Sequence, residues 1–135
     1  MIRSISLEEY FWLAAQVTKQ SVADVLASSD IGMAESAVHA PDAGFAGKEF
    51  YPEILDKASV LLCHLVWNHP LVDGNKWAGW AALIVFLELN GAVWLEGQPD
   101  VDEAESAVLD VAAHHVDAAW FAAWLGERAI LTPKP

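Results

Sequence analysis

The sequence is poor in cysteine and in basic residues. Cys63 is the single cysteine, so no intramolecular disulfide can form, and a lone thiol in an apolar run is typical of a small core residue in a reducing compartment. Seven Lys and Arg stand against 19 Asp and Glu, for a net charge of -12. Proteins that bind nucleic acids need clustered cations to displace counterions from phosphates. We therefore expect no direct binding to nucleic acid.

Long apolar runs, linkers and repeats are also missing. The longest apolar run, residues 77–87, is too short to span a bilayer. Glu8 and Glu9 interrupt the N-terminal stretch where a signal peptide would need apolar residues. We therefore expect a cytoplasmic protein without a membrane segment. With 135 residues, 55% of them hydrophobic, the chain fits a single domain over residues 1–135 that buries a core.

Helical periodicity and capping signals dominate the chain. Ser6 and Glu9 have the spacing of a capping box at the start of a first helix. The pattern predicts helices over about 7–19, from about Gly32 to Pro41, from Pro52 to Asn68, over 75–90, over 101–114 and from about Asp117. The pattern leaves 20–31 open between loop and helix. It predicts a loop over 42–50, an extended piece over 92–95 and a tail over 132–135.

The predicted fold class is all-α, a single-domain helical bundle around a central helix at about 75–90. This helix carries no charged side chain between Ala78 and Leu87. A helix that is apolar nearly all round must be covered on every side, so the others should pack around it.

The stretch NHPLVDGNKWAGW, residues 68–80, joins the central helix to the helix before it. The start of a helix presents free N–H groups and the positive end of its dipole, which suit phosphate. Five residues of the stretch suit such a site. His69 can act as a base, and Asp73 can bind Mg²⁺. Gly74 allows close approach of the backbone, Asn75 can cap the helix and orient the loop, and Lys76 supplies a positive charge. The residues alone leave open an ordinary Asp-Gly-Asn turn with a capping histidine.

This stretch closely resembles the motif of the Fic/Doc family, which reads H-P-F-x-D/N-G/A-N-K-R in the Doc branch. Matching residues are His69, Pro70, Asp73, Gly74, Asn75 and Lys76. The segment before it, IGMAESAVHAPDAGFAGKEFYPEILDKAS, and VFLELNG at the end of the central helix are also similar to Doc-branch sequences. The resemblance covers roughly residues 4–126 and implies a Fic/Doc-like domain with its motif at 69–77.

The resemblance implies a toxin of a toxin–antitoxin pair that stops growth by inhibiting translation. Such a protein transfers phosphate from ATP, or another nucleoside triphosphate, to a hydroxyl of elongation factor Tu, with Mg²⁺. The resemblance implies that His69 is the general base and that Asp73 is a metal or phosphate-site residue. Gly74 and Asn75 match the residues that surround the bound anion, and Lys76 matches a phosphate contact. The resemblance further implies a Phd-like antitoxin whose C-terminal helix lies in a groove of the toxin. In this family the loop around Lys48 and Glu49 forms a flap that docks the target by strand addition.

Two positions depart from the motif. Leu71 replaces phenylalanine, which is a mild change between apolar side chains. Trp77 occupies the phosphate-site position of an arginine, whose fixed fork of charged donors a neutral indole N–H does not replace. Trp77 is also bulky enough to block the pocket. One base change turns an Arg codon, CGG, into the Trp codon TGG, so a detoxified variant and a natural member with weakened activity both remain open.

Two other functions follow from the same stretch. Fic-branch enzymes transfer AMP and have G-N-G-R where this chain has Gly74, Asn75 and Lys76, so the lysine argues against AMP transfer. The second alternative is a catalytically inactive protein that still binds an antitoxin, which Trp77 favours.

Several further residues are candidates for a site or for the core. We interpret His64 as structural and His39 as a surface residue. A metal site at His114 and His115 with Asp110 and Asp117 is not expected, because adjacent histidines point to different helix faces. An aromatic set is either core or, in part, a groove for a partner helix: Trp12, Trp120, Phe121 and Trp124.

Overall fold

The computed structural model describes residues 2–132, and helices make up most of them. The helices are α1 Leu7–Thr18, α2 Val22–Ser28, α3 Ile31–His39, α4 Ile54–Asn68, α5 Asn75–Leu89, α6 Val101–Ala112 and α7 Ala118–Gly126. A 3-10 turn at Ala40–Asp42 follows α3. The strands are short: β1 Gly44–Phe45, β2 Lys48–Glu49, β3 Ala92–Trp94 and β4 Ala129–Leu131. The all-α prediction is confirmed. Among the described residues, no helix has both the length and the apolar character to cross a membrane.

Side-chain caps fix where several helices begin. Ser6 Oγ accepts a hydrogen bond from Glu9 N at 3.1 Å, and Glu9 Oε1 accepts one from Ser6 N at 3.0 Å, as the capping box predicts. In four other helices the N-cap side chain likewise accepts a hydrogen bond from the backbone N–H three residues later. These N-caps are Ser21, Asp30, Asp100 and Asp117. The segment 20–31 that the sequence left open is therefore largely helical, because Ser21 caps α2 and Asp30 caps α3.

Helix α5 lies at the centre, as predicted. It packs most extensively against α4 and also touches α1, α6 and β3. Leu83 and Phe86 on α5, and Leu62 and Leu65 on α4, are almost completely buried. A Cβ at Gly79 would lie 3.2 Å from Val66 Cγ2, so the glycine lets the two helices approach closely. Burial of each large apolar side chain contributes about 1.5–3 kcal/mol, so this pair of helices holds much of the stability.

Two local predictions were wrong, and one strand was missed. Residues 44–49 form an antiparallel hairpin, with Gly44 opposite Glu49, rather than a loop. Helix α4 begins at Ile54 with Glu53 as its N-cap, so Pro52 precedes the helix instead of lying in its first turn. Strand β4 was not predicted at all.

The extended piece expected over 92–95 is β3. It pairs antiparallel with β4, which brings the end of the described chain beside the end of α5. Of the tail expected over 132–135, only Thr132 lies within the described residues. Thr132 donates from N at 2.9 Å and from Oγ1 at 2.7 Å to Gly91 O.

Candidate active site at the start of the central helix

The motif residues occupy a tight turn between α4 and α5. Helix α4 ends at Asn68, and His69 follows in the left-handed region with φ 48°. Pro70 O accepts a hydrogen bond from Asp30 N at 2.8 Å, which joins the turn to the start of α3. Gly74 then serves as the N-cap of α5 with φ 85°. The fold thus brings residues 69–77 to one end of the central helix, where His69, Asp73 and Lys76 are exposed.

Asn75 braces this turn from inside. Its side chain is only 7% exposed. Its Oδ1 accepts from Leu71 N at 2.9 Å, and its Nδ2 donates to Leu71 O at 3.0 Å. The N-cap of α5 is Gly74, so Asn75 orients the loop and does not cap the helix.

The same amide orients the candidate base. Asn75 Nδ2 lies 3.3 Å from His69 Nδ1. Because the two bonds to Leu71 fix which end of the amide is the nitrogen, a donor faces Nδ1. This favours the neutral tautomer that carries its proton on Nε2.

Gly74 is required by both conformation and space. Its positive φ is costly for residues with a side chain. A Cβ at this position would lie 2.9 Å from Thr18 Cγ2, near the end of α1. The motif turn therefore fits closely against α1, and only glycine gives it room.

Several features at the start of α5 suit an anion. Within residues 2–132, the backbone N–H groups of Asn75, Lys76 and Trp77 donate to no protein acceptor, as expected for the first turn of a helix. Lys76 is exposed and pairs with no carboxylate of the described residues. The cation and the helix dipole therefore add to a positive local field in a chain whose net charge is -12.

Asp73 is the carboxylate nearest to this helix start in the sequence. Its Oδ1 accepts from Gly74 N at 2.8 Å, which leaves Oδ2 for another partner. Mg²⁺ is commonly held by one or two carboxylates together with substrate phosphates and waters. An exposed single carboxylate beside a helix start with free N–H groups fits that pattern.

Trp77 lies beside a cleft of about 420 Å³. The end of α1, part of α2 and the motif turn form its other walls, with polar groups from Thr18, Gln20, Ser29 and Asp73. A second, much smaller cavity is lined by Lys76 and Trp77 of α5 and by Glu105 and Val108 of α6. The indole is half-buried and forms part of one wall of the larger cleft.

Lys57, near the start of α4 and far from the motif turn, is a buried cation that the sequence reading missed. It lies on α4 and is 1% exposed. Its Nζ donates to Pro41 O at 2.9 Å and to Glu49 Oε1 at 2.8 Å, and it lies 3.4 Å from Asp42 Oδ1. Lys57 lies on the apolar stripe of α4, next to Ala58 and three residues after Ile54, and this position could have indicated that the lysine is buried.

The other histidines and the cysteine lie outside the motif turn. Burial lowers the pKa of His64, whose ring lies 5.7 Å from that of Trp67. His39 is exposed. Burial raises the pKa of the Cys63 thiol to about 12, so this side chain is a core residue and a poor nucleophile.

The two adjacent histidines point apart. The ring of His114 stacks on Trp67 with 5.2 Å between centroids, while His115 Nδ1 lies 3.5 Å from Asp110 Oδ1. Over residues 2–132, no group of three or more potential ligands gathers as a metal site would need. These histidines therefore contribute to packing and surface pairing.

The aromatic set divides between core and surface. Phe121 and Trp124 are buried and stack with 5.2 Å between ring centroids. Trp12 and Trp120 are exposed, on α1 and α7. Those helices pack against different members of the central pair, α1 against α5 and α7 against α4. The buried pair cannot line a groove, which leaves two of the four residues for a partner.

Comparison with known proteins agrees with the motif. The family model described as the Fic/DOC family matches residues 4–87, a range that includes α1 to α4, the motif turn and most of α5. The curated protein Toxin Doc of Mycolicibacterium smegmatis is 46% identical over 88 residues, which cover 65% of this chain and 67% of that protein. The chain therefore belongs to the Fic/DOC family and groups with its Doc branch.

Proposed function

We propose that this protein is the toxin of a toxin–antitoxin pair and acts as a nucleotide-dependent protein kinase. Its substrates are ATP, or another nucleoside triphosphate, and a hydroxyl of elongation factor Tu. The observation that carries the proposal is Lys76 in the first turn of α5, among free backbone N–H groups and next to Asn75, whose amide contacts His69. The 46% identity to a protein named Toxin Doc supports the toxin part of the proposal.

Each motif residue has a role in this reaction. The N–H groups of Asn75, Lys76 and Trp77 and the ammonium of Lys76 bind phosphate oxygens. Asp73 would hold Mg²⁺, which would supply charge neutralisation at the phosphates. Asn75 keeps the turn closed through Leu71 and orients the His69 ring.

His69 takes the proton of the attacking hydroxyl. The hydroxyl oxygen forms a bond to the γ-phosphorus, the bond from that phosphorus to the bridging oxygen breaks, and the nucleoside diphosphate leaves. Acceptance of a proton at Nε2 requires the tautomer with its proton on Nδ1. That tautomer gives up the contact with Asn75 Nδ2, so the ring must exchange tautomers before it can act from Nε2.

Trp77 makes this activity weak. The Doc-branch arginine would give two charged hydrogen bonds to phosphate oxygens. Indole has one neutral N–H. Loss of a hydrogen bond to a charged group costs about 1.5–3 kcal/mol, so we expect a rate at least about tenfold below that of an arginine form. In the extreme case the protein only binds its antitoxin, and Trp77 is the observation that favours this second function.

The antitoxin partner is proposed to be Phd-like, with a C-terminal helix that docks on the toxin. The exposed aromatic residues Trp12 and Trp120 supply apolar area on two sides of the fold. The net charge of -12 favours a partner segment with a basic surface.

Label transfer from ATP tests the kinase proposal. The protein and its Trp77→Arg form are incubated with elongation factor Tu and ATP labelled at the α or γ position. A kinase transfers label from the γ position only, more strongly in Trp77→Arg, and the double variant His69→Ala with Trp77→Arg transfers none. Label from the α position would show AMP transfer instead. No transfer from either form would support the inactive antitoxin-binding protein.

A further inference from the structure

The hairpin at 44–49 is too small to hold its own position. Each strand has two residues, and the turn between them uses positive φ at Ala46 and Gly47. Phe45 and Phe50 are 78% and 60% exposed, so apolar packing contributes little. An isolated two-stranded hairpin is marginally stable in water even when it is longer. Contacts with the rest of the protein must therefore fix this one.

Lys57 supplies such a contact from beneath the hairpin. Its ammonium has three donors and faces three oxygen atoms, on Pro41, Asp42 and Glu49. Pro41 and Asp42 precede the first strand, and Glu49 ends the second. One buried cation therefore ties together both ends of the hairpin and α4.

The electrostatics couple the hairpin to this cation. Lys57 is buried, whereas the side chains of Glu49 and Asp42 are 52% and 45% exposed. A buried ammonium without partners is strongly unfavourable. If the hairpin moved away, Lys57 would lose its shortest ion pair, so its burial favours the docked position. Asp42 is held from the other side, because its Oδ2 accepts from Ser4 Oγ at 2.9 Å.

Helix α4 links this anchor to the candidate base. Lys57 lies on α4, and His69 is the residue that ends the same helix. Twelve residues of α-helix span about 18 Å. A packed helix of that length keeps a fixed distance between the hairpin and the imidazole.

We propose that Lys57 is a positioning residue for the hairpin. Its contacts hold the hairpin in one orientation against α4, and the family resemblance makes this hairpin the flap on which an extended segment of the target protein pairs by strand addition. This rests on the proposed function for the identity of the target, whereas the anchoring itself does not.

Hydrogen exchange of the hairpin tests the anchoring directly. Phe50 N donates to Ala43 O at 3.0 Å and reports on closure of the hairpin base. We expect the Phe50 amide to exchange about tenfold faster in Glu49→Gln than in wild type, with unchanged exchange in α4 and α5. The neighbouring variant Lys48→Gln changes charge in the same strand without touching Lys57 and should leave the rate unchanged. A Phe50 rate in Glu49→Gln equal to that of wild type would overturn the proposal.

Lys57→Met gives a second test of the same contact. It should also accelerate Phe50 exchange, with a melting temperature measured in parallel to show that the core remains folded. Faster exchange throughout α4 and α5, rather than in the hairpin, would show a general structural role and contradict positioning.

Kinetics in the Trp77→Arg background test the consequence for the target. Glu49→Gln should raise the KM for elongation factor Tu about fivefold and leave kcat and the KM for ATP unchanged. An unchanged KM in an active Trp77→Arg protein would overturn the positioning role while the kinase proposal stands. An inactive Trp77→Arg protein would defeat the kinase proposal, and the exchange measurement would still decide the anchoring.

Discussion

At the residue scale, Asn75 braces the motif turn from inside. One amide satisfies both backbone groups of Leu71 and contacts His69. Motif matching identified the residue but not its partners, because a sequence does not show which backbone groups a side chain will reach. His69, Asp73 and Lys76 could be predicted as site residues from their order along the chain alone. Lys57 depends on contacts with residues 8 to 16 positions away, and no short motif carries that information.

Removal of the Asn75 amide should weaken the whole fold. In Asn75→Ala, Leu71 N–H and C=O are left buried without their partners, so we expect a loss of about 1–3 kcal/mol in the free energy of unfolding. Urea denaturation measures the loss. The matched control is Asn68→Ala, whose exposed amide donates one bond to Met33 O and should cost less. Equal losses in the two variants would contradict a bracing role for Asn75.

His64 should make stability depend on pH. Burial lowers the pKa of the folded histidine below its ordinary value of 6.5. As pH falls through about 6.5, the unfolded chain therefore takes up a proton that folded His64 resists, and unfolding is favoured until the folded pKa is reached. The change in melting temperature between about pH 7.5 and about pH 5.5 contains this destabilising contribution.

His64→Gln should remove that contribution. Its melting temperature should drop less, or rise more, than that of wild type over the same pH range. The exposed His39→Gln variant is the control and should follow wild type. Parallel behaviour of all three proteins would show that His64 titrates normally.

At the element scale, most helices with clear caps were predictable, whereas β3 was the one short strand expected from the sequence. The ends of α1, α4 and α5 fall within about two residues of the predicted ends, because capping residues, proline and glycine mark them locally. The hairpin carries no alternating pattern, and its turn places Ala46 at a positive φ where a glycine or asparagine is more usual. Strand β4 depends on β3, which lies far away in the chain, so only the tertiary structure shows it.

The turn before α5 should tolerate no side chain at Gly74. In Gly74→Ala the φ of 85° and the 2.9 Å approach to Thr18 Cγ2 both oppose the new methyl group. We expect a loss of about 1–3 kcal/mol in stability by thermal unfolding. The double variant Gly74→Ala with Thr18→Ser removes the clashing methyl and should recover part of the loss. No recovery would mean that backbone conformation alone is responsible, and no loss would contradict the close packing of α1 on the turn.

At the scale of the whole molecule, the part of the chain beyond the family match completes the core around α5. The match ends at residue 87. Beyond it, Trp94 and Trp124 place their rings 6.3 Å and 6.2 Å from that of Trp80 on α5. Arg128 lies over Trp124 at 4.2 Å from the ring centroid. The central helix is therefore supported from both parts of the chain, and its start presents Lys76 and free backbone N–H groups on a strongly acidic molecule.

Growth after induced expression of wild type, Trp77→Arg and Trp77→Arg with His69→Ala tests the proposed toxin activity most directly. We propose that phosphate transfer at the start of α5 causes toxicity and that Trp77 weakens it. We therefore expect growth arrest with Trp77→Arg, relief of that arrest by a Phd-like antitoxin, and little or no arrest with wild type or the double variant. Equal amounts of the three proteins, measured by immunoblot, control for expression. Harmless Trp77→Arg protein, present at the same level as wild type, would contradict the account.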